Sequence, residues 1–221
     1  MKKKEEIYKI IADDKERGFI SFGPYIGVYR VDPNFTKKLL ELGKKGTDFR
    51  ERLAGKIKKE LEIDLKKHPW VREYMSHYVL MWLEGYAKYG HDVNHMKNKD
   101  FGFRVQNIWM NFMKKGEYNP IHTHDNCHLS YVLYVKIPKV ISDTDHKYSR
   151  TKGTQGSTNF FYGEHHWSHI SARRVQPIEN RLLIFPSTLR HSVDEFTQNV
   201  ERITAAGNVE FINFDEKYDV P

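Results

Sequence analysis

The spacing of apolar and polar positions divides this chain into two parts of different character. Up to about residue 100 the pattern is mainly helical. Residues 19 to 31, FISFGPYIGVYRV, predict one or two opening strands. Asp32, Pro33 and Asn34 then give a turn and a helix start, NFTKKLLELGKK forms the helix, and Gly43 lies near its end. The stretch DFRERLAGKIKKELEIDL places Leu53, Ile57, Leu61 and Leu65 four apart and predicts a second amphipathic helix, with Gly55 as a flaw in its interior. From Pro69 to about Tyr89 the spacing predicts the longest helix, with proline in its first turn. Met75, Tyr78, Val79 and Trp82 would line its buried side as core residues, leaving His77 at the surface.

After the polar break HDVNHMKNKDFG the pattern changes. Residues 102 to 113, 129 to 137, 158 to 162, 181 to 185 and 202 to 212 carry the β-branched and aromatic residues of strands. The turn-rich DTDHKYSRTKGTQGS has no hydrophobic period, and a loop of that size in a compact domain is often a lid or a binding loop. No linker rich in Pro, Gly or Ser separates the halves. The expectation is an α+β fold in one integrated domain, residues 1–221: residues 1–100 as a mainly helical support packed on one sheet, and residues 101–214 as an all-β core.

Composition narrows the class. With 39% hydrophobic and 29% charged residues the chain reads as globular and soluble, and no run approaches the length of a membrane span. Acidic residues interrupt the basic N-terminus before an apolar core develops, so it does not read as a secretory signal, and a cytoplasmic protein is expected. The single cysteine, Cys127, excludes an intramolecular disulfide and raises the question of metal ligation, though a lone buried thiol is the commoner outcome. The net charge of +7 is spread over several segments, which fits a solvated surface better than a nucleic-acid footprint.

Candidate chemistry sits between the strands. His122 and His124 are one residue apart, so in an extended strand both side chains point to the same face and can reach one ion. His191 follows the apolar run LLIFP and can supply a third ligand from a neighbouring strand. Imidazole suits several transition metals, and three protein ligands leave coordination positions open. Twelve histidines are scattered along the chain, so the pair alone is a weak signal; its coupling to His191 and to Arg202 is what gives it weight. An arginine facing into a β-barrel is costly unless paired, and its fork matches a carboxylate. A salt bridge from Arg202 to Glu201 or Glu210 is the alternative.

In these motifs the C-terminal half resembles the double-stranded β-helix (a jelly-roll, cupin-like barrel) of Fe(II)- and 2-oxoglutarate-dependent oxygenases, in particular a small bacterial and phage group. The resemblance spans about residues 100 to 213 and rests on His122-Thr-His124, Leu129-Ser130 with Tyr134, Phe185-Pro186 with His191 and Val193, and Arg202. It implies that His122, His124 and His191 hold Fe(II), that Arg202 grips the far carboxylate of 2-oxoglutarate, and that Tyr134 bonds the same carboxylate. Ser130 and Asn111 are further pocket candidates. It also implies a dioxygenase that uses O2 and decarboxylates 2-oxoglutarate to succinate, with hydroxylation of a prime substrate as the default outcome.

The wider superfamily carries a carboxylate where His124 stands, which leaves Asp125 open as the alternative second ligand. A cupin is the nearest rival, since Gly116 followed by His122 and His124 resembles half of the cupin motif; the glutamate expected next is replaced by His128 and Leu129. A non-catalytic binding module is the third reading. The prime substrate, a small molecule or a protein side chain before a nucleic acid, is expected to meet the helical region and the 142 to 171 insertion, with Trp167 and Arg173/Arg174 at the mouth. The oligomeric state stays open.

Overall fold

The computed structural model describes residues 23–89, 96, 100–142, 155–165, 167 and 170–213. Residues 19 to 22 of the expected opening strands, much of the long turn-rich loop and most of the 91–99 break lie outside the described residues.

The described chain is two antiparallel sheets with a few helices. The strands are β1 (Gly27–Arg30), β2 (Thr47–Asp48), β3 (Glu60–Glu62), β4 (Gly102–Met113), β5 (Asn119–His122), β6 (Leu129–Lys136), β7 (Thr158–Phe161), β8 (Ala172–Val175), β9 (Arg181–Pro186), β10 (Arg190–Val193) and β11 (Arg202–Ile212). The larger sheet runs β1-β9-β6-β11-β4-β3-β2 and the smaller β5-β10-β7-β8. The long strands sit where their β-branched and aromatic residues predict. The N-terminal part supplies three strands to the larger sheet, so it shares that sheet's hydrogen bonding as well as covering it.

Two helices cover the outer face of the larger sheet. Helix α1 (Pro33–Gly43) starts as expected: Asp32 accepts from the Asn34 amide at 2.8 Å and Pro33 occupies the first turn. Helix α2 (Pro69–Lys88) buries Val71, Met75, Tyr78, Val79 and Trp82, one stripe at helical spacing. The Trp82 indole N–H also donates to the Ile184 carbonyl of β9 at 3.1 Å, which ties the helix to the sheet. A short helix α3 (Lys139–Ser142) follows β6. No described helix is long and apolar enough to cross a membrane.

The expected helix over DFRERLAGKIKKELEIDL does not form. Arg50–Arg52 make one 3-10 turn and the chain then extends along β4. Backbone bonds explain the choice: Phe112 N donates to Lys59 O, Ile63 N to Ile108 O, and Lys56 N to Tyr118 O, so the strand edge satisfies groups a helix would have paired internally. The sequence also holds a period of two in Leu61, Ile63 and Leu65, all packed in the main core, while Glu60 faces the other side of the sheet. The four-residue spacing of the leucines masks that alternation.

Alternation assigns each side of the larger sheet a separate task. Leu129, Tyr131, Leu133 and Val135 of β6, Ile203, Ala205 and Val209 of β11, and Ile108, Met110 and Phe112 of β4 point outward into the core beneath the helices. The intervening residues point toward the smaller sheet. There, Tyr134, Leu183 and Phe185 of the larger sheet pack against Phe160 of β7 and Leu189. Beside this inner apolar cluster the sheets enclose a cavity of about 780 Å³.

Candidate active site

Among the described residues His122, His124 and His191 form one group whose ligand nitrogens all lie within 4.8 Å of one another. Register explains the meeting: His191 of β10 is directly opposite His122 of β5 and opposite Phe160 of β7. His124 arrives differently from the expectation. Strand β5 ends at His122, so the shared strand face that the spacing suggests does not carry the pair. The loop turns His124 inward instead, held by its amide donating to the Ser187 carbonyl at 3.0 Å.

The ring nitrogens are arranged for ligation. His122 Nδ1 lies 2.7 Å from the Pro120 carbonyl and His191 Nδ1 2.8 Å from the Leu189 carbonyl, so an Nδ1–H tautomer donates in each case and Nε2 is left with its lone pair. His124 Nε2 and His191 Nε2 are 3.2 Å apart. Two imidazoles bound to one ion at about 2.1 Å each would be spaced in this way. Burial holds the imidazoles neutral: it lowers the His122 pKa, pushes His124 down to about 4 and His191 to about 3, and the neighbouring His122 adds to the last two. Phe185 packs edge-on against the His191 ring at 4.8 Å.

Asp125 is exposed and stands outside this group, although it lines the cavity rim. Cys127 also stays out; burial raises its thiol pKa, which disfavours the thiolate a metal needs. His128 accepts from the Phe211 amide at 2.9 Å and stacks on the Phe211 ring, a packing role.

Arg202 is 1% exposed and lines the same cavity. Among the described residues its Nε and Nη2 have no hydrogen-bond partner and its Nη1 meets Met113 Sδ at 3.9 Å, while its guanidinium lies 5.4 Å from the Tyr134 ring centre. The alternative partner Glu210 is paired with Arg104 at 2.5 Å instead. Burial lowers the Arg202 pKa to about 10, which still leaves it charged at neutral pH. A buried cation without a counter-ion is expensive, and an anion in the cavity would offset that cost.

The other pocket candidates fall at different depths. Tyr134 is fully buried and its hydroxyl is 2.7 Å from Thr158 Oγ1. Asn111 lines the cavity, accepts from the Trp109 indole at 3.1 Å and donates to Thr204 Oγ1 at 3.2 Å. Ser130 does not line it, and its hydroxyl donates to Asn208 Oδ1 at 3.0 Å. Thr158, Thr204 and Trp109 line the cavity without having been singled out in the sequence. Thr204 was within reach, since it shares a strand face with Arg202 two residues away. Thr158 was not, because only the pairing of β7 with β10 brings it near. Trp167 is 90% exposed, and Arg173 lines a separate surface groove with Tyr162 and Ile170, so neither Trp167 nor Arg173/Arg174 forms the mouth of the histidine cavity.

Comparison with known proteins agrees with this site. Residues 107–208 match the family described as “Putative 2OG-Fe(II) oxygenase”, a span that starts in β4, ends in β11 and contains His122, His124, His191 and Arg202. The part of the chain that carries the site is thus similar to a family whose description is that of 2OG-Fe(II) oxygenases, over a little under half of the chain. No curated protein sequence is significantly similar to the chain.

Among solved structures, a prolyl hydroxylase from Trichoplax adhaerens in complex with a hypoxia inducible factor peptide fragment aligns at TM-score 0.51 and 14% identity, over 87% of this chain and 84% of that one. The viral collagen prolyl hydroxylase of Paramecium Bursaria Chlorella virus-1, in its 2-oxoglutarate complex, aligns at TM-score 0.50 and 15% identity, over 85% and 96%. A 2OG-Fe(II) oxygenase family oxidoreductase from Burkholderia pseudomallei aligns at TM-score 0.37 and 14% identity; the match spans 51% of this chain and about half, 47%, of that one. At these identities the first two establish a likeness of fold.

Proposed function

We propose that the protein is a hydroxylase in which His122, His124 and His191 hold Fe(II) and Arg202 binds the far carboxylate of 2-oxoglutarate. The observation that carries this reading is the buried Arg202 guanidinium, with two nitrogens unpartnered, in the same cavity as three converging imidazoles. On this reading the two sheets are the halves of a double-stranded β-helix, and the N-terminal strands and helices belong to the same catalytic unit.

When bound, Fe(II) and 2-oxoglutarate supply O2 activation, with decarboxylation to succinate coupled to C–H oxidation. The chain's own residues do the rest. Burial keeps the three imidazoles neutral, so their Nε2 lone pairs need no deprotonation at working pH. The carbonyls of Pro120 and Leu189 fix two of the rings by accepting from Nδ1–H. Arg202 offers Nε–H and Nη2–H to a carboxylate, and because Arg202 is buried a charge-assisted pair there is worth more than one in water. Tyr134 and Thr158 share a hydroxyl contact beneath it, and either can turn its proton toward the same carboxylate. Phe160 and Phe185 exclude water on the side of His191.

Three neutral ligands leave the site one charge more positive than one with a carboxylate, which favours an anionic cosubstrate. Hydroxylation as the outcome is supported by the fold shared with the two prolyl hydroxylases, one of which holds a peptide. The test is succinate release in air by the purified protein. Succinate should form only with both Fe(II) and 2-oxoglutarate present and should be lost in Arg202→Met. Succinate independent of iron, or none under any condition, contradicts the reading.

A further inference from the structure

The inner face of the larger sheet carries a second uncompensated charge. Glu60 of β3 is 1% exposed, lines the histidine cavity, and its Oε2 has no hydrogen-bond partner among the described residues. Strand pairing places it in one row with the site: Glu60 is opposite Asn111, Asn111 opposite Thr204, and Thr204 opposite Tyr134. Two strand spacings, about 10 Å, separate β3 from the β11 strand that carries Arg202. The cavity therefore has a cationic end and an anionic end.

Glu60 is not alone. Asn119, three residues before His122 on β5, also lines the cavity, and its Oδ1 is buried without a partner among the described residues. Gly55 stands against both groups: a Cβ at that position would lie 2.5 Å from Asn119 Oδ1 and 2.8 Å from Glu60 Oε1. Glycine keeps this space open for two acceptors facing one region. The adjacent Glu117 is different, because its carboxylate accepts from the Lys58 amide at 3.1 Å and the Lys114 amide at 2.8 Å. Glu117 anchors a turn, and Glu60 is left with no task in the fold. Burial, with the Glu117 charge adding to it, raises the Glu60 pKa to about 7, and the opposing pull of Arg50 does not cancel it. Phe49 and Trp109, with ring centres 5.7 Å apart, line the same end and present aromatic surface. The arginines at the rim do not supply the missing charge. Arg50 is paired with Asp48, Arg104 with Glu210, Arg52 lies 5.8 Å from the Phe49 ring centre, and Arg72 Nε has no acceptor among the described residues.

We infer that the prime substrate carries a cationic group, an ammonium or a guanidinium, which Glu60 and Asn119 hold at the β3 side of the cavity. Calling that ligand the prime substrate rests on the oxygenase reading above; the cation site itself rests on Glu60, Asn119 and Gly55. Unpartnered acceptors need donors, and a cationic donor offsets the burial of the carboxylate as a neutral one cannot. The flanking rings favour the same charge.

The test compares Nα-acetyl-lysine amide with its neutral isostere Nα-acetyl-norleucine amide and with Nα-acetyl-glutamate amide. Binding is measured calorimetrically, without oxygen, to the Fe(II)–2-oxoglutarate protein and to the metal-free protein. The lysine probe should bind at least about tenfold more tightly than the norleucine probe, as expected for a desolvated charge pair. Glu60→Gln should bring that ratio close to one, and Gly55→Ala, which keeps the charge but fills the space, should weaken the lysine probe alone. Equal binding of the probes, tighter binding of the glutamate probe, or an unchanged ratio in Glu60→Gln overturns the inference. So does a Glu60→Gln protein that melts lower than the wild type with its ratio intact, because Glu60 is then a structural group. If 2-oxoglutarate fails to bind while the lysine preference persists on the metal-free protein, the oxygenase reading fails and the cation site stands.

Discussion

The two faces of the seven-stranded sheet are made by alternate residues of the same strands, yet they differ in kind. The outer face, under α1 and α2, is apolar: Ile203, Ala205 and Val209 of β11 share one continuous core with Met75, Val79 and Trp82. The inner face, offset by one residue along β11 and β4, presents Arg202, Thr204, Asn111 and Trp109 to a cavity. On the inner side polar atoms lie buried without partners. Such groups destabilise a fold by about 1–3 kcal/mol each, and more when charged, so they persist only where something else offsets the cost. Stability is concentrated on one face and chemistry on the other, and substitutions should separate the two.

The largest effect expected is on the inner face at the histidines. His191→Ala should reduce bound iron from one per chain to a small fraction, measured by metal analysis after desalting; stoichiometric iron would remove His191 from the ligand set. Arg202→Met should weaken 2-oxoglutarate binding by about 10²-fold or more while leaving iron in place, as expected for loss of a buried charge-assisted pair. Because Arg202 has no counter-ion among the described residues, the same variant should melt at or above the wild-type temperature. A lower melting temperature together with loss of both iron and 2-oxoglutarate would make Arg202 a structural residue.

On the outer face the consequence inverts. Met75→Ala removes a fully buried side chain and should cost about 2–5 kcal/mol of stability in a denaturant titration. The folded variant should bind 2-oxoglutarate as the wild type does. A selective loss of cosubstrate binding without loss of stability would break the separation of faces.

Acidity offers a finer probe. His124 and His191 titrate in the fold at about 4 and about 3, below the unfolded value near 6.5. Between those limits the unfolded chain binds more protons than the folded one, so the stability of the metal-free protein should fall as the pH drops from about 6.5 toward 4. Glu60 acts in the opposite sense. Its folded pKa of about 7 lies above the unfolded carboxylate value, so it favours the fold at lower pH and this contribution is lost as the pH rises through 7. Melting curves of Glu60→Gln should lack that decline between pH 5 and 8. The smallest effect expected is at Asp125: exposed and outside the histidine group, it should tolerate Asp125→Asn with iron content unchanged. Loss of iron there would reinstate it as a ligand.

Much of this division can be read in the sequence. The helical stripe Met75, Tyr78, Val79, Trp82 and the long strands β4, β6 and β11 follow from local periodicity, because each is long enough for its pattern to repeat. The histidine pair, His191 and Arg202 stand out by residue type next to strand patterns. Two features were hidden for physical reasons. The segment 48–65 satisfies a helical spacing and a strand alternation at once, and only backbone hydrogen bonds with β4, accepted by Lys59 O and donated by Ile63 N, decide between them. Glu60 inherits its place on the inner face from that decision, so the error over the helix also concealed the carboxylate. His124 joins the site through a loop anchored on Ser187, a contact across 63 positions that no local period encodes.

The central claim is that the three histidines and Arg202 together make one site for Fe(II) and 2-oxoglutarate. It is tested most directly by adding 2-oxoglutarate to the Fe(II)-loaded protein in the absence of oxygen and recording the visible spectrum. A metal-to-ligand charge-transfer band should appear, saturate at one equivalent of 2-oxoglutarate per chain, and require far higher concentrations in Arg202→Met. Absence of the band in an iron-loaded wild-type protein, or an identical titration in Arg202→Met, would contradict it.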